Sequence, residues 1–144
     1  MLKMFRKSIL VVLVLSLFTV ITSKTYGQSA PKVSVSVSKR SFNPGESGVL
    51  TIKFKTGSQV KIPKEPPIDV SVSGVNGDGL QDYSGGEGDY LSNNQVKYNF
   101  TVPGDAESGS SITIQGSVKF GYCSTESGVC KIGKQNFSVK IKVK

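Results

Sequence analysis

Most of the chain after residue 30 alternates apolar and polar residues with a period of two. The apolar positions fall in six runs: Val33, Val35 and Val37; Leu50, Ile52 and Phe54; Ile68, Val70 and Val72; Val96, Tyr98, Phe100 and Val102; Ile112, Ile114, Val118 and Phe120; and Phe137, Val139, Ile141 and Val143. Such alternation places one face of a strand in a core and the other in water. The runs therefore predict β-strands, and no stretch after residue 28 has a helical period.

Turn-forming residues separate these runs at the spacing typical of a β-sandwich. They are Asn43-Pro44-Gly45, Ile62-Pro63 through Pro67, Val75 to Gly79, and Pro103-Gly104-Asp105. About seven short antiparallel strands predict an all-β fold, in which two antiparallel sheets pack as an immunoglobulin-like sandwich. The chain has no Trp and its cysteines are close in sequence, so the likeness to antibody domains is one of architecture only.

The N-terminus has the pattern of a secretory signal peptide. Three cations in MLKMFRK precede an uncharged run from Ser8 to Ser23, which is shorter than the roughly 20 residues of a membrane-spanning helix. Small residues at Thr25 and Gly27 suit a signal peptidase site. We therefore predict a signal peptide over residues 1–27 and one domain over residues 28–144, with an uncleaved anchor as the alternative. No cysteine follows the apolar run, which excludes a bacterial lipoprotein anchor.

Charge and composition exclude several classes of function. The net charge of +8 includes four cations of the first 27 residues, so residues 28–144, with 14 basic and 10 acidic side chains, carry +4. These lysines are scattered without interleaved aromatics, which argues against nucleic-acid binding. The absence of His removes Ser-His and Cys-His nucleophile pairs and the commonest metal ligand. We predict no cofactor and no metal site.

The segment GYCSTESGVCK holds the only two cysteines of the chain, Cys123 and Cys130. Neighbouring antiparallel strands bring Cα atoms to about 4.5 to 5.5 Å, which allows a disulfide. A hairpin staple is the usual role of extracytoplasmic cysteines, but a bridge that closes about eight residues removes only roughly 2.5 kcal/mol of unfolded-state entropy. The pair is thus either a staple or a reagent.

The alternation of side chains places Cys123 on the polar face of its strand unless Gly121 forms a bulge. In either case we expect the sulfur at the end of the sheet, within reach of a partner. Nearby cations would favour a thiolate, whereas Glu126 in the turn would oppose it or relay a proton. The cations considered are Lys119, Lys131 and Lys134.

The segment VKFGYCSTESGVCKIGKQNFSVKIKV resembles the C-terminal part of the N-terminal periplasmic domain of the thiol:disulfide interchange protein DsbD and its stand-alone relatives. The resemblance extends to QVKYNFTVPGDAESGSSITIQGSV and more loosely to FNPGESGVLTIKF. In that family an immunoglobulin-like sandwich carries a redox-active cysteine pair on two adjacent strands. The resemblance implies that Cys123 and Cys130 cycle between dithiol and disulfide, and that Cys130 forms the mixed disulfide with the partner.

The family also shields its cysteines with a cap loop that bears an aromatic residue and acids for proton transfer. By order along the chain, the cap would lie in QDYSGGEGDYLSNN. The resemblance implies Tyr90 or Tyr83 as the lid and Asp89, Glu87 or Asp82 as the acids. The sequence departs from the family in a turn that is one residue longer and in a cap without a clear Phe.

Two hypotheses follow for the function. In the first, a periplasmic or secreted module relays reducing equivalents from a membrane thiol reductase to thioredoxin-fold partners, with no nucleic-acid partner and no stable membrane insertion after signal cleavage. In the second, a non-catalytic sandwich binds or spaces other proteins, and its disulfide only closes a hairpin. The reactivity of the disulfide discriminates between them, since structural bridges typically have potentials below about −300 mV.

Overall fold

A computed structural model describes residues 29–144 of the protein. These residues form nine strands in chain order: β1 (Lys32–Val37), β2 (Ser41–Phe42), β3 (Ser47–Lys55), β4 (Val60–Lys61), β5 (Asp69–Ser73), β6 (Asn76–Leu80), β7 (Gln95–Thr101), β8 (Ser111–Ser124) and β9 (Cys130–Val143). Within residues 29–144, no helix is long and apolar enough to cross a membrane. The predicted signal peptide lies outside the described residues.

The strands form two sheets. The first sheet has the order β1-β3-β7-β6, and the second has the order β2-β9-β8-β4, with β5 also paired to β8. All pairs are antiparallel except β2 with β9. The predicted all-β fold of two antiparallel sheets is therefore confirmed.

Aromatic side chains join the two sheets across the core. Phe54 of β3 meets Phe120 of β8 with ring centroids 4.8 Å apart, and Phe42 of β2 meets Phe100 of β7 edge to face at 5.4 Å. The alternating residues of β3, β7 and β8 supply most of the remaining core. Burial of these apolar faces is the main force that holds the two sheets together.

Three strands were not predicted from the sequence, and each has a physical reason. β2 and β4 contain only two residues, which is too short for a period to appear. The segment Val75 to Gly79 was predicted to be a turn, and this prediction was wrong, because Asn76–Leu80 pairs with β7 as β6. A Cβ at Gly77 would collide with the Tyr98 hydroxyl, so a glycine allows β6 to lie against β7.

The register of β8 against β9 supplies a matched test of the fold. Ile114 is fully buried, whereas Ile132 on the outer face of β9 is 55% exposed. We expect Ile114→Ala to lower the free energy of unfolding by about 2–5 kcal/mol, and Ile132→Ala to change it by less than about 0.5 kcal/mol. Urea unfolding with the disulfide intact measures both, and equal losses would contradict this register.

Candidate functional site

The two cysteines lie at the turn end of the longest hairpin that the described residues form, the β8–β9 hairpin. β8 and β9 pair without interruption from Ser111 opposite Lys142 to Cys123 opposite Cys130. The Cα atoms of the two cysteines are 4.0 Å apart, and their sulfurs form a disulfide. The disulfide that the spacing allowed is therefore present at the last pair of the ladder.

The disulfide lies on the outer face of the second sheet. Because β8 pairs with β9 without a bulge, Cys123 points away from the core side chains Phe120 and Tyr122. The predicted position on the polar face is thus correct. The expected accessibility of the Cys123 sulfur is wrong, because Cys123 is only 3% exposed, whereas its bonded partner Cys130 is exposed.

A proline-rich segment covers the outer face of the sheet beside Cys123. Pro63 and Pro66 lie over Gly121, where a Cβ would approach their ring atoms at 3.1 and 3.5 Å. Gly121 is the neighbour of Cys123 on the same face, two residues earlier in β8. A side chain at residue 121 would therefore displace the proline segment, which explains the glycine before the first cysteine. The peptide bond between Glu65 and Pro66 is cis.

Lys61 and Tyr90 share this outer face with the disulfide. Lys61 of β4 pairs directly with Cys123, and Pro63 forms an isolated bridge with Tyr90. Directly paired residues of antiparallel strands project to the same face. The ammonium of Lys61 lies 5.5 Å from the centroid of the Tyr90 ring. Tyr90 is therefore one strand farther from Cys123 than Lys61 is.

Lys64 anchors the glycine-rich segment that contains Tyr90. Its ammonium donates to the carbonyl oxygens of Ser84, Gly85 and Gly86 at 3.0, 2.9 and 3.1 Å. Its backbone N–H donates to the Asp89 carbonyl at 2.8 Å. One lysine thus holds both ends of the segment 84–89 beside the strand that pairs with Cys123.

Tyr83 and Asp82 stabilise the beginning of the same segment. The Ile68 N–H donates to the Tyr83 hydroxyl at 2.5 Å, which places Tyr83 beside the start of β5. The Asp82 carboxylate accepts from both the hydroxyl and the N–H of Ser84, and these bonds, with the more distant Lys64 ammonium, lower the pKa of Asp82. This support of the turn is complete above the ordinary aspartate pKa and is lost as the pH falls through the lowered value.

The other predicted acids, Asp89 and Glu87, lie in the exposed segment that Lys64 anchors. Asp89 is an exposed residue in the bend before Tyr90, and its backbone carbonyl accepts from the Lys64 N–H. Glu87 is an exposed residue within the loop that Lys64 anchors. Of the five cap residues proposed from the sequence, Tyr90 is therefore the one that the pairing brings to the disulfide face.

The cations expected to act on the cysteines are also distributed differently. Lys131 pairs with Tyr122 and so lies on the inner face, where it lines a cleft of about 860 Å³ with Lys32, Lys55 and Glu126. Lys119 and Lys134 pair with each other on the outer face, about 13 Å along the strands from the disulfide. Lys61, which is remote from the cysteines in sequence, is the lysine that pairs with Cys123.

In the part of the chain that the structure describes, no three His, Cys, Asp or Glu side chains group as a metal site requires. Comparison with known proteins finds no matching family model and no matching curated protein. The resemblance to the N-terminal domain of DsbD therefore stays a prediction from the quoted sequence segments.

The anchoring role of Lys64 predicts a local change in protease sensitivity. Replacing Lys64 with Met removes the donor to three carbonyls, so the loop should open more often. We expect cleavage after Glu87 by a glutamate-specific protease to accelerate several-fold, with cleavage after Glu126 in the same digest unchanged. Lys97→Met is the matched control, because Lys97 lines the surface cavity that Lys64 and the glycine-rich segment also line. Equal cleavage of both variants at Glu87 would contradict the anchor.

Proposed function

We propose that this protein is a thiol:disulfide interchange module whose reactive group is the Cys123–Cys130 disulfide. The observation that carries the proposal is the unequal exposure of the two bonded cysteines, one exposed and one buried. A partner thiol approaching along the outer face meets Cys130 first. The sequence resemblance to the DsbD N-terminal domain supports the same order of reaction.

Exposed apolar side chains near the disulfide also support exchange with a protein partner. Val129 is 49% exposed and directly precedes Cys130, while Ile132 and Tyr90, 55% and 37% exposed, share the outer face with it. These three are the large apolar residues that residues 29–144 leave exposed. Apolar and aromatic side chains are typical of the centres of protein interfaces.

The exchange proceeds through a mixed disulfide. A partner thiolate attacks Sγ of Cys130, a new S–S bond forms, and the Cys123–Cys130 bond breaks with its electron pair on Sγ of Cys123. A second partner thiolate then attacks the partner's sulfur in the mixed disulfide and releases Cys130 as a thiolate. The partner is oxidised to a disulfide, and this protein is reduced to the dithiol. The same steps in reverse transfer electrons from the reduced Cys123–Cys130 pair to an oxidised partner.

A purely structural disulfide explains the arrangement less well. The bridge closes a hairpin that already has twelve other residue pairs from Ser111 to Tyr122, and it constrains only about eight residues of the unfolded chain. The register therefore does not need a covalent bond to be specified. We propose thioredoxin-fold proteins as partners, a membrane thiol reductase as the electron source, and a periplasmic or secreted location, where such bridges persist.

The reduction potential of the disulfide tests the proposal. We expect equilibration of residues 28–144 with glutathione and with thioredoxin, followed by thiol alkylation, to give a potential between about −200 and −270 mV. Exchange should be complete without denaturant. A bridge that resists both reductants until the protein unfolds would support the hairpin staple instead.

Single-cysteine variants test the assigned roles. The probe is a thioredoxin that keeps only its first active-site cysteine, activated as a mixed disulfide with thionitrobenzoate. Cys123→Ala leaves the exposed Cys130 thiol and should release thionitrobenzoate on the order of tenfold faster than Cys130→Ala, which leaves the buried thiol. Equal rates, with equal trapping of the thioredoxin, would overturn the assignment of Cys130 as the attacking residue.

A further inference from the structure

The outer face places a lysine directly beside the buried member of the cysteine pair. Lys61 is the cross-strand partner of Cys123, on the strand opposite to the one that carries Cys130. The Cβ atoms of such directly paired residues are about 4.5 to 5.5 Å apart. The flexible four-carbon stem of lysine allows its ammonium to reach either Sγ of Cys123 or the next strand.

Attack on Cys130 creates a negative charge on a sulfur that is largely shielded from water. The leaving group is the thiolate of Cys123, whose residue is only 3% exposed. Burial away from water raises the pKa of a thiol and so makes it a poorer leaving group. Release of Cys123 is therefore slow unless a cation lies beside it.

We propose that Lys61 supplies this cation and stabilises the thiolate of Cys123 in the exchange reaction, an inference that rests on the proposed function. The other charged groups on the surrounding elements are placed less well to stabilise the thiolate of Cys123. Lys119 and Lys134 lie four pairs along the ladder, Lys131 is on the opposite face, and the Lys64 ammonium is bound by three carbonyls. The remaining charged groups around the site are Glu126 in the hairpin turn, Glu65 beside Pro66, Asp69 opposite Lys119, and Asp89.

Tyr90 gives the ammonium a second position when the thiolate is absent. In the disulfide form, Lys61 lies over the Tyr90 ring, where the aromatic face attracts a cation. When the disulfide opens, the neutral Sγ of Cys123 becomes an anion, and Cys123 lies on the side of Lys61 opposite to Tyr90. Lys61 then moves from the ring to the thiolate, so its position reports whether the thiolate is present.

The pKa of Cys123 tests the proposal directly. With Cys130→Ser in the background, Cys123 is the remaining thiol, and the ultraviolet absorbance of its thiolate gives its pKa without depending on access by a reagent. We expect Lys61→Met to raise this pKa by about one unit. Lys61→Arg, which keeps the positive charge, should return the pKa most of the way to its value in the Lys61 protein. An unchanged pKa in Lys61→Met would overturn the proposal.

Lys119→Met is the matched control for a general loss of positive charge. Lys119 is on the same face, but about 13 Å along the strand, which exceeds the screening length of about 8 Å at physiological salt. We expect a shift at least threefold smaller than that of Lys61→Met. Equal shifts in the two variants would attribute the effect to net charge and overturn the role of Lys61.

Two further readouts follow the reaction itself. With both cysteines present, Lys61→Met should slow reduction of the disulfide by glutathione about threefold, because a thiol of higher pKa leaves more slowly. In the unmutated protein at a pH above the pKa of Cys123, the nuclear magnetic resonance shifts of the Lys61 side-chain protons should lose the Tyr90 ring contribution on reduction. Retention of that contribution in the reduced protein would contradict the movement.

The failure of this inference and that of the proposed function are distinguishable. If the disulfide resists thioredoxin and glutathione while Lys61→Met still raises the pKa of Cys123, the electrostatic role stands and the interchange function fails. If the disulfide exchanges readily while Lys61→Met leaves both the pKa and the reduction rate unchanged, the function stands and the role of Lys61 fails.

Discussion

The register of β8 against β9 is the constraint on which the rest of the site depends. Thirteen consecutive pairs join β8 to β9 from Ser111 to Cys123, and their side chains alternate between the inner and the outer face. Burial of the inner-face residues therefore determines the position of the last pair. A slip of one residue would move Phe120 out of the core, turn Cys123 inward and separate it from Cys130. The hydrophobic core thus positions the disulfide from the opposite face of β8.

The second constraint comes from a part of the chain about 60 residues earlier. The segment from Lys61 to Pro66 pairs with the end of β8, covers Gly121 with two prolines, and binds the glycine-rich loop through Lys64. The sheet edge beside Cys123 is therefore closed, while Cys130 remains exposed at the end of the hairpin. This segment contributes to the asymmetry in exposure between two chemically identical residues.

The sequence predicted the features that depend on local periodicity. The six alternating runs correspond to strands, and the parity of β8 correctly placed Cys123 on the outer face. Periodicity could not reveal that the outer face is covered at Gly121, because Pro63 and Pro66 are remote in sequence and resemble a turn. It also overlooked β6, whose glycines lack side chains to alternate, and Lys61, which belongs to a strand of two residues.

The same reasoning explains why the nearest cations in sequence are not the nearest in space. Lys131 directly follows Cys130, yet alternation places it on the inner face, whereas Lys61 is 62 residues from Cys123 and pairs with it. In a β-sheet, the closest side chains are cross-strand partners rather than chain neighbours. A thiolate on one face of a strand is therefore influenced most by charges that only the sheet topology brings to it, and for Cys123 that topology brings Lys61.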